Sequence, residues 1–94
     1  MNLKENIQRI KEMMTLSESK GWGDSEKKLE KTFEFKNFDQ SIDFVNKVAK
    51  ISETQDHHPD IEIKYNKVKI SITDHEKGKV SQKCYKLIKS IDNL

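Results

Sequence analysis

Two short runs of alternating apolar and polar residues, separated by a polar turn, constrain the fold of this chain most. Apolar residues occupy every second position from Ile61 to Tyr65 and again from Val68 to Ile72. This period-2 pattern is typical of half-buried strands. A two-residue loop, Asn66-Lys67, would place Tyr65 opposite Val68 and bring both apolar faces to the same side. The sequence therefore predicts a β-hairpin.

A long amphipathic helix is predicted immediately before the hairpin. Asn37 is a suitable N-cap and Gln40 follows three residues later in a capping-box pattern, so the helix should begin at Phe38. Pro59 cannot continue a helix, so the helix should end between Ser52 and Asp56. Its apolar stripe covers about half the circumference, and a second subunit is a candidate for the surplus. The stripe consists of Phe38, Ile42, Phe44, Val45, Val48, Ala49 and Ile51.

The rest of the chain supplies three further predicted elements. These are an amphipathic helix from Leu3, an alternating strand over residues 29–35 and a last helix with Ser81 as N-cap. Trp22 lies in a turn-rich segment and should anchor its loop on the core rather than stack on a ligand. The order of elements predicts one α+β domain over residues 1–94, with sequential antiparallel strands, helices on one face and room for a short strand near residues 22–28.

Composition and charge argue against several classes of protein. The 94 residues include 18 Lys and Arg and 16 Asp and Glu, with no block of five or more like charges, so direct nucleic-acid binding is not expected. The longest apolar runs have two residues, so neither a membrane span nor a secretory signal is expected. One cysteine excludes an intramolecular disulfide and a Cys-rich zinc site. The sequence predicts an intracellular, cytoplasmic protein.

All three histidines lie beside the hairpin. His57 and His58 precede it, and His75 follows its second strand, so the hairpin would return His75 toward the other two. They could be unconnected loop residues, or ligands of Zn or Fe assisted by Glu53 or Asp56. They could also perform metal-free acid–base chemistry on a small polar molecule, because imidazole exchanges a proton near neutral pH. The residues alone do not decide between the last two.

The spacing of these residues resembles a family signature. Glu53-x3-His57-His58-Pro59, then five residues, Tyr65, nine residues and His75 is similar to the motif of the pterin-4a-carbinolamine dehydratases. Vertebrate members of that family also serve as dimerisation cofactors of a homeodomain transcription factor. The resemblance extends to Gly21-Trp22, Phe33, Phe35, Phe38, Phe44, Val48-Ala49 and the segment 65–68.

This resemblance implies a fold and a reaction. The fold would be a four-stranded antiparallel sheet with helices on one face, assembled as a homodimer or homotetramer. The reaction would be loss of water from 4a-hydroxytetrahydropterin to give quinonoid dihydropterin, with no metal and no cofactor. Two alternatives stay open, a non-catalytic protein-binding module of the same fold and a histidine-rich metal-binding protein.

The resemblance also implies roles for individual residues. The leaving hydroxide must be protonated while N5 of the pterin loses its proton. His57 and His75 are expected to handle the leaving oxygen, and His58 to assist or position. The residues expected to bind the pterin or orient an imidazole are Glu53, Asp56, Thr73, Asp74, Lys83 and Cys84.

Two positions depart from the family pattern. Ile61 stands where the family usually has Trp, which removes an aromatic wall from the pocket. Lys83-Cys84 stands where relatives tend to have Arg-Asp. That aspartate, three residues after Ser81, could complete a capping box, a role that Cys84 is not expected to fill. We therefore expect reduced but not abolished activity relative to a typical member.

Overall fold

The computed structural model describes residues 21–24 and 27–94, which form two helices and an antiparallel sheet. The helices are α1 (Phe38–Gln55) and α2 (Gln82–Asp92). Three strands of five or six residues make up most of the sheet, and a two-residue segment pairs at its edge. In chain order the strands are β1 (Gly23–Asp24), β2 (Leu29–Glu34), β3 (Asp60–Lys64) and β4 (Lys67–Ile72).

The strand order is β1-β2-β4-β3, so β4 is central and β3 is an edge strand. Every pairing is antiparallel. The predicted α+β class and antiparallel sheet are confirmed, while the fourth strand is present only as the two residues of β1. The helix predicted from Leu3 lies outside the described residues.

The α1 helix begins and ends at the predicted positions. Asn37 is its N-cap, since its Oδ1 accepts the N–H of Gln40 at 2.9 Å, and the Gln40 side chain accepts the N–H of Lys36 at 3.0 Å. Asp56 is the C-cap, with a left-handed φ of 50°, and its N–H donates to the carbonyl of Glu53. Aspartate tolerates this conformation better than most non-glycine residues. The chain thus turns sharply immediately before His57.

The hairpin of β3 and β4 is confirmed, but its turn lies one residue earlier than predicted. Ile63, and not Tyr65, lies opposite Val68, so the turn residues are Tyr65 and Asn66 instead of Asn66-Lys67. Tyr65 takes the positive φ of 51° that the turn requires and is exposed. Because the register differs from the prediction by two residues, each side chain keeps its face and the apolar faces still coincide.

The position of the turn follows from pairing with β2. Lys67 pairs with Glu34 at the end of β2, so it belongs to β4 and the turn must precede it. Asn66 then joins the turn to the residue after β2. Its carbonyl accepts the N–H of Phe35 at 2.7 Å, and its Nδ2 donates to the Phe35 carbonyl at 3.0 Å.

The core lies between one face of the sheet and the two helices. Alternate residues of β4, from Val68 to Ile72, are buried, and the residues between them lie on the other face. The remaining buried apolar residues are Trp22, Leu29, Phe44, Val48, Cys84, Leu87, Ile88 and Ile91. Of residues 21–24 and 27–94, no helical stretch is long and apolar enough to cross a membrane.

Trp22 anchors its segment on the core, as predicted. Its indole Nε1 donates to Oδ2 of Asp92 at 3.0 Å, and its ring meets Phe33 edge-on at a centroid distance of 5.9 Å. Lys31 completes the cluster, with Nζ 3.2 Å from Oδ1 of Asp92 and 4.8 Å from the Phe33 ring centroid. The C-terminal end of α2 is thereby tied to the β1 end of the sheet.

Candidate active site

The end of α1, the end of β4 and the start of α2 meet at the side chain of His57. This side chain is 8% exposed. Its Nε2 lies 2.7 Å from the carbonyl oxygen of Thr73, and its Nδ1 lies 3.2 Å from the carbonyl oxygen of Lys83. One imidazole therefore connects three segments of the chain.

Both partners of this ring are carbonyl oxygens, which only accept hydrogen bonds. Each ring nitrogen can therefore bond there only as an N–H donor. A neutral imidazole has one N–H and makes one of the two bonds at a time, whereas an imidazolium makes both. In this arrangement His57 holds the backbone together, and a ring nitrogen reaches a ligand only when one of the two contacts opens.

His58 makes a different kind of contact. Its Nε2 lies 2.8 Å from Oε1 of Glu53, and both side chains are largely exposed. A carboxylate accepts the Nε2–H, which fixes the tautomer of a neutral ring and leaves Nδ1 as an accessible acceptor. An exposed pair of this kind adds little to stability. The contact therefore restricts the orientation of the His58 ring.

Asp74 organises the loop between β4 and α2. The side chain is 5% exposed, and its Oδ2 accepts the hydroxyl of Ser81 at 2.6 Å. Its Oδ1 accepts the backbone N–H of Glu76 at 3.1 Å and of Lys77 at 3.4 Å. The Ser81 hydrogen bond, helped by these N–H groups and the charge of Lys83, lowers the pKa of Asp74 below its ordinary value of 3.8, although burial acts in the opposite direction.

The lowered pKa of Asp74 predicts a specific loss of stability in acid. Because the folded protein holds the Asp74 proton more weakly than the unfolded chain, the carboxylate stabilises the fold fully above pH ~5. This contribution disappears as the pH falls through 3.8 toward the lower folded pKa. Urea unfolding of the native protein and of Asp74→Asn should measure it, since the difference in unfolding free energy between the two should shrink below pH 4. A difference that stays constant from pH 7 to pH 3 would contradict the assignment.

The other predicted site residues fall into two groups. Asp56 and His75 have exposed side chains, on the C-cap of α1 and in the loop after β4. Thr73 and Lys83 contact His57 through their backbone carbonyls, and the Thr73 hydroxyl donates to the carbonyl of Lys27. Among the described residues, no hydrogen bond joins the three imidazoles to one another.

Cys84 lies in the first turn of α2 and is fully buried in the core. Its Sγ lies 3.5 Å from the backbone nitrogen of Ser81 and accepts its N–H. The expectation that Cys84 could not contribute to the cap of α2 was therefore wrong, because a thiol sulfur is a weak acceptor that here occupies the place of a carboxylate. The other partner of the cap, Asp74, was not foreseen from the sequence.

The arrangement of the side chains bears on the alternative that the histidines bind a metal ion. In the described ranges, no three His, Cys, Asp or Glu side chains are grouped in a way that could hold a metal ion.

Ile61, the other departure from the family pattern, is half-buried, lies opposite Ile70 and packs against the core.

A profile of the pterin 4 alpha carbinolamine dehydratase family matches residues 4–94. The chain belongs to this family. A relative from Picosynechococcus sp., named "Putative pterin-4-alpha-carbinolamine dehydratase", is 46% identical over 79 residues, which are 84% of this chain and 86% of the relative. A relative of the same name from Sulfolobus acidocaldarius is 42% identical over 79 residues, which are 84% and 87% of the two chains.

Two solved structures share the fold. A transcriptional coactivator/pterin dehydratase from Brucella melitensis matches with a TM-score of 0.75 and 23% identity over 99% of this chain and 95% of the other. A pterin dehydratase-like protein described as a RuBisCO assembly factor in the alpha-carboxysome matches with a TM-score of 0.64 and 20% identity, over 77% and 83%. At these identities the two structures establish the fold alone.

Proposed function

We propose that residues 1–94 act as one domain that dehydrates 4a-hydroxytetrahydropterin to quinonoid dihydropterin and water. The observation that carries the proposal is the contact of the His57 ring with the carbonyl of Thr73. His58 is the residue after His57, and His75 lies two residues after Thr73, so this contact brings together the two chain segments that carry the three histidines. Family membership supplies the substrate class.

The reaction needs one proton delivered and one removed. The 4a-oxygen is protonated as its bond to C4a breaks, and N5 gives up a proton as the N5–C4a double bond forms. His75 and His58 have exposed rings that can exchange protons with a bound pterin, and Glu53 orients His58. His57 takes part directly only if it releases a carbonyl, so its direct contact with the leaving oxygen stays a prediction.

The test is a dehydration assay with the native protein. A 4a-hydroxytetrahydropterin generated in situ should lose water faster in the presence of the protein than in buffer alone, as followed by absorbance of the quinonoid product. A rate equal to that of buffer at micromolar protein would refute the proposal. The purified protein should also be analysed for metals, since stoichiometric Zn or Fe bound through these histidines would contradict a metal-free mechanism.

Glu53→Gln should lower dehydration moderately. The amide keeps the size of the side chain but no longer fixes the His58 tautomer with a charged acceptor, so we expect a loss of roughly tenfold or less in kcat. Glu62→Gln is the matched control, because Glu62 is also exposed and its carboxylate also contacts a basic side chain, that of Lys64, at 3.4 Å. Equal effects of the two substitutions would show that the contact between Glu53 and His58 is not used.

A second candidate function is a non-catalytic protein-binding module. It is favoured by the structural neighbour described as a RuBisCO assembly factor, which has the same fold. A native protein that fails to dehydrate the pterin but retains a specific, saturable protein partner would support this candidate.

We also propose a homodimer or homotetramer. β3 is an edge strand on which Ile63 is 37% exposed, and Phe38 at the start of α1 is 47% exposed. Covering these apolar side chains would favour association. Each subunit would contribute a sheet of four strands, with β1 as the fourth. Light scattering during size-exclusion chromatography distinguishes these assemblies from a monomer.

A further inference from the structure

We propose that Asp74 is a positioning residue, which sets the geometry of His57 and His75 from inside the protein instead of binding the pterin. The inference deepens the proposed dehydratase function and rests on it for its kinetic consequences. The placement of the three side chains can be tested without activity. The sequence had grouped Asp74 with the pterin-binding residues, and the structure shows a different set of contacts.

Asp74 uses each of its polar atoms within the protein. Its carboxylate accepts the hydroxyl of Ser81 and the N–H groups of Glu76 and Lys77. Its own N–H donates to the carbonyl of Lys79 at 3.2 Å, and its carbonyl accepts the N–H of Gly78 at 2.8 Å. With the side chain 5% exposed, a ligand would reach the carboxylate only by breaking these bonds.

Two routes connect Asp74 to the carbonyls that hold His57. The first is covalent, because Thr73, whose carbonyl lies 2.7 Å from Nε2 of His57, is the preceding residue. The second passes through Ser81, the N-cap of α2, which Asp74 holds at 2.6 Å. Lys83 lies in the first turn of that helix and its carbonyl is 3.2 Å from Nδ1 of His57. Asp74 is therefore linked to both ends of the imidazole contact, through its backbone to Thr73 and through its carboxylate to Ser81 and α2.

Asp74 also fixes the loop that carries His75, because its carboxylate accepts the N–H groups of Glu76 and Lys77. His75 is the residue after Asp74, and the bridge between Asp74 and Lys79 closes residues 74–79 into a compact turn. Gly78 provides the positive φ of 67° at the far side of this turn. The position of the exposed His75 ring relative to His57 thus depends on the hydrogen bonds of Asp74.

Asp74→Ala should lower kcat by about tenfold to a hundredfold, because displacing reacting groups by up to ~1 Å can cost that much. KM should change less than about twofold, since no pterin contact is removed. Asp74→Asn should retain activity within about threefold of the native protein: its Oδ1 still accepts the loop N–H groups, and its amide can donate to the Ser81 hydroxyl. Glu76→Ala is the control from the same loop, and it keeps the backbone N–H that Asp74 binds.

Measurements on the ligand-free protein separate this inference from the proposed function. In Asp74→Ala, the amides of Glu76 and Lys77 should exchange hydrogen faster, and the NMR signals of the His57 ring should shift. Neither change should occur in Glu76→Ala. These results would support the positioning role even if the native protein showed no dehydratase activity.

Two outcomes would overturn the inference. One is an unchanged His57 ring and unchanged amide exchange in Asp74→Ala. The other is a raised KM at constant kcat in both Asp74 variants, as expected of a pterin ligand. If Asp74→Ala fails to fold, Ser81→Ala provides the same test with a smaller change. It should shift the His57 signals through α2, and its failure to do so would also contradict the proposal.

Discussion

Replacement of His57 by alanine is expected to lower kcat/KM for pterin dehydration by about 10² or more, the range of a lost acid–base group or of a displaced one. The substitution also removes the ring that contacts the carbonyls of Thr73 and Lys83. The buried ring and its contacts with two part-buried carbonyls would be lost, so we expect the free energy of unfolding to fall by about 1–3 kcal/mol. Steady-state kinetics and urea unfolding measure the two losses separately.

His57→Gln separates a proton-transfer role of His57 from a positioning role. A glutamine amide can donate to a carbonyl oxygen but does not titrate near neutral pH. If His57 only holds the backbone, the glutamine variant should recover both stability and much of the activity. If His57 transfers a proton, stability should recover while kcat stays low and the pH profile loses one limb. Native-like activity in the alanine variant would rule out both roles.

His75→Ala is expected to lower kcat/KM by a similar factor, about 10² or more, but without a loss of stability. His75 is exposed in the loop after β4, so its removal should change the free energy of unfolding by no more than about 0.5 kcal/mol. The measurement is again the dehydration assay with urea unfolding. Lys79→Ala is the matched control, because Lys79 is exposed in the same loop and contributes only its backbone to the bridge with Asp74.

The activity and stability of the His57→Ala and His75→Ala variants are most informative when compared with each other. Both substitutions should reduce activity strongly, but only the first should reduce stability. Losses smaller than a few-fold in both variants would mean that these histidines are not the catalysts, and would favour the protein-binding candidate.

Local sequence patterns predicted most of the described fold. Asn37 and Pro59 identified the limits of α1, since capping and the geometry before proline act over a few residues. Alternation identified β2, β3 and β4. The turn was predicted one residue late because its position depends on the pairing of Lys67 with Glu34, a contact with a strand more than thirty residues away in the chain. Asn-Lys is only a weak turn signal, so the local residues did not determine the position of the turn.

The candidate site was predicted less completely than the fold. The spacing of the histidines indicated which segments meet, because a hairpin returns the chain to its starting edge. It did not indicate that His57 is buried against two carbonyls, since backbone acceptors leave no mark in the sequence. The link from Asp74 to Ser81 was missed for a similar reason: two small polar residues seven positions apart meet only because the loop between them closes. Cys84 was misjudged because a cap is usually completed by an oxygen.

The contact between Trp22 and Asp92 has a consequence for how the chain folds. It joins residues 70 positions apart, and closing so long a loop costs chain entropy. Other contacts offset this entropy loss only when α2 is already docked. We expect this pairing to form late in folding. Because Trp22 is the single tryptophan, its fluorescence should report that last closure, while circular dichroism reports the earlier formation of helices. Refolding followed by the two signals would then reveal whether the contact between Trp22 and Asp92 forms together with the helices or after them.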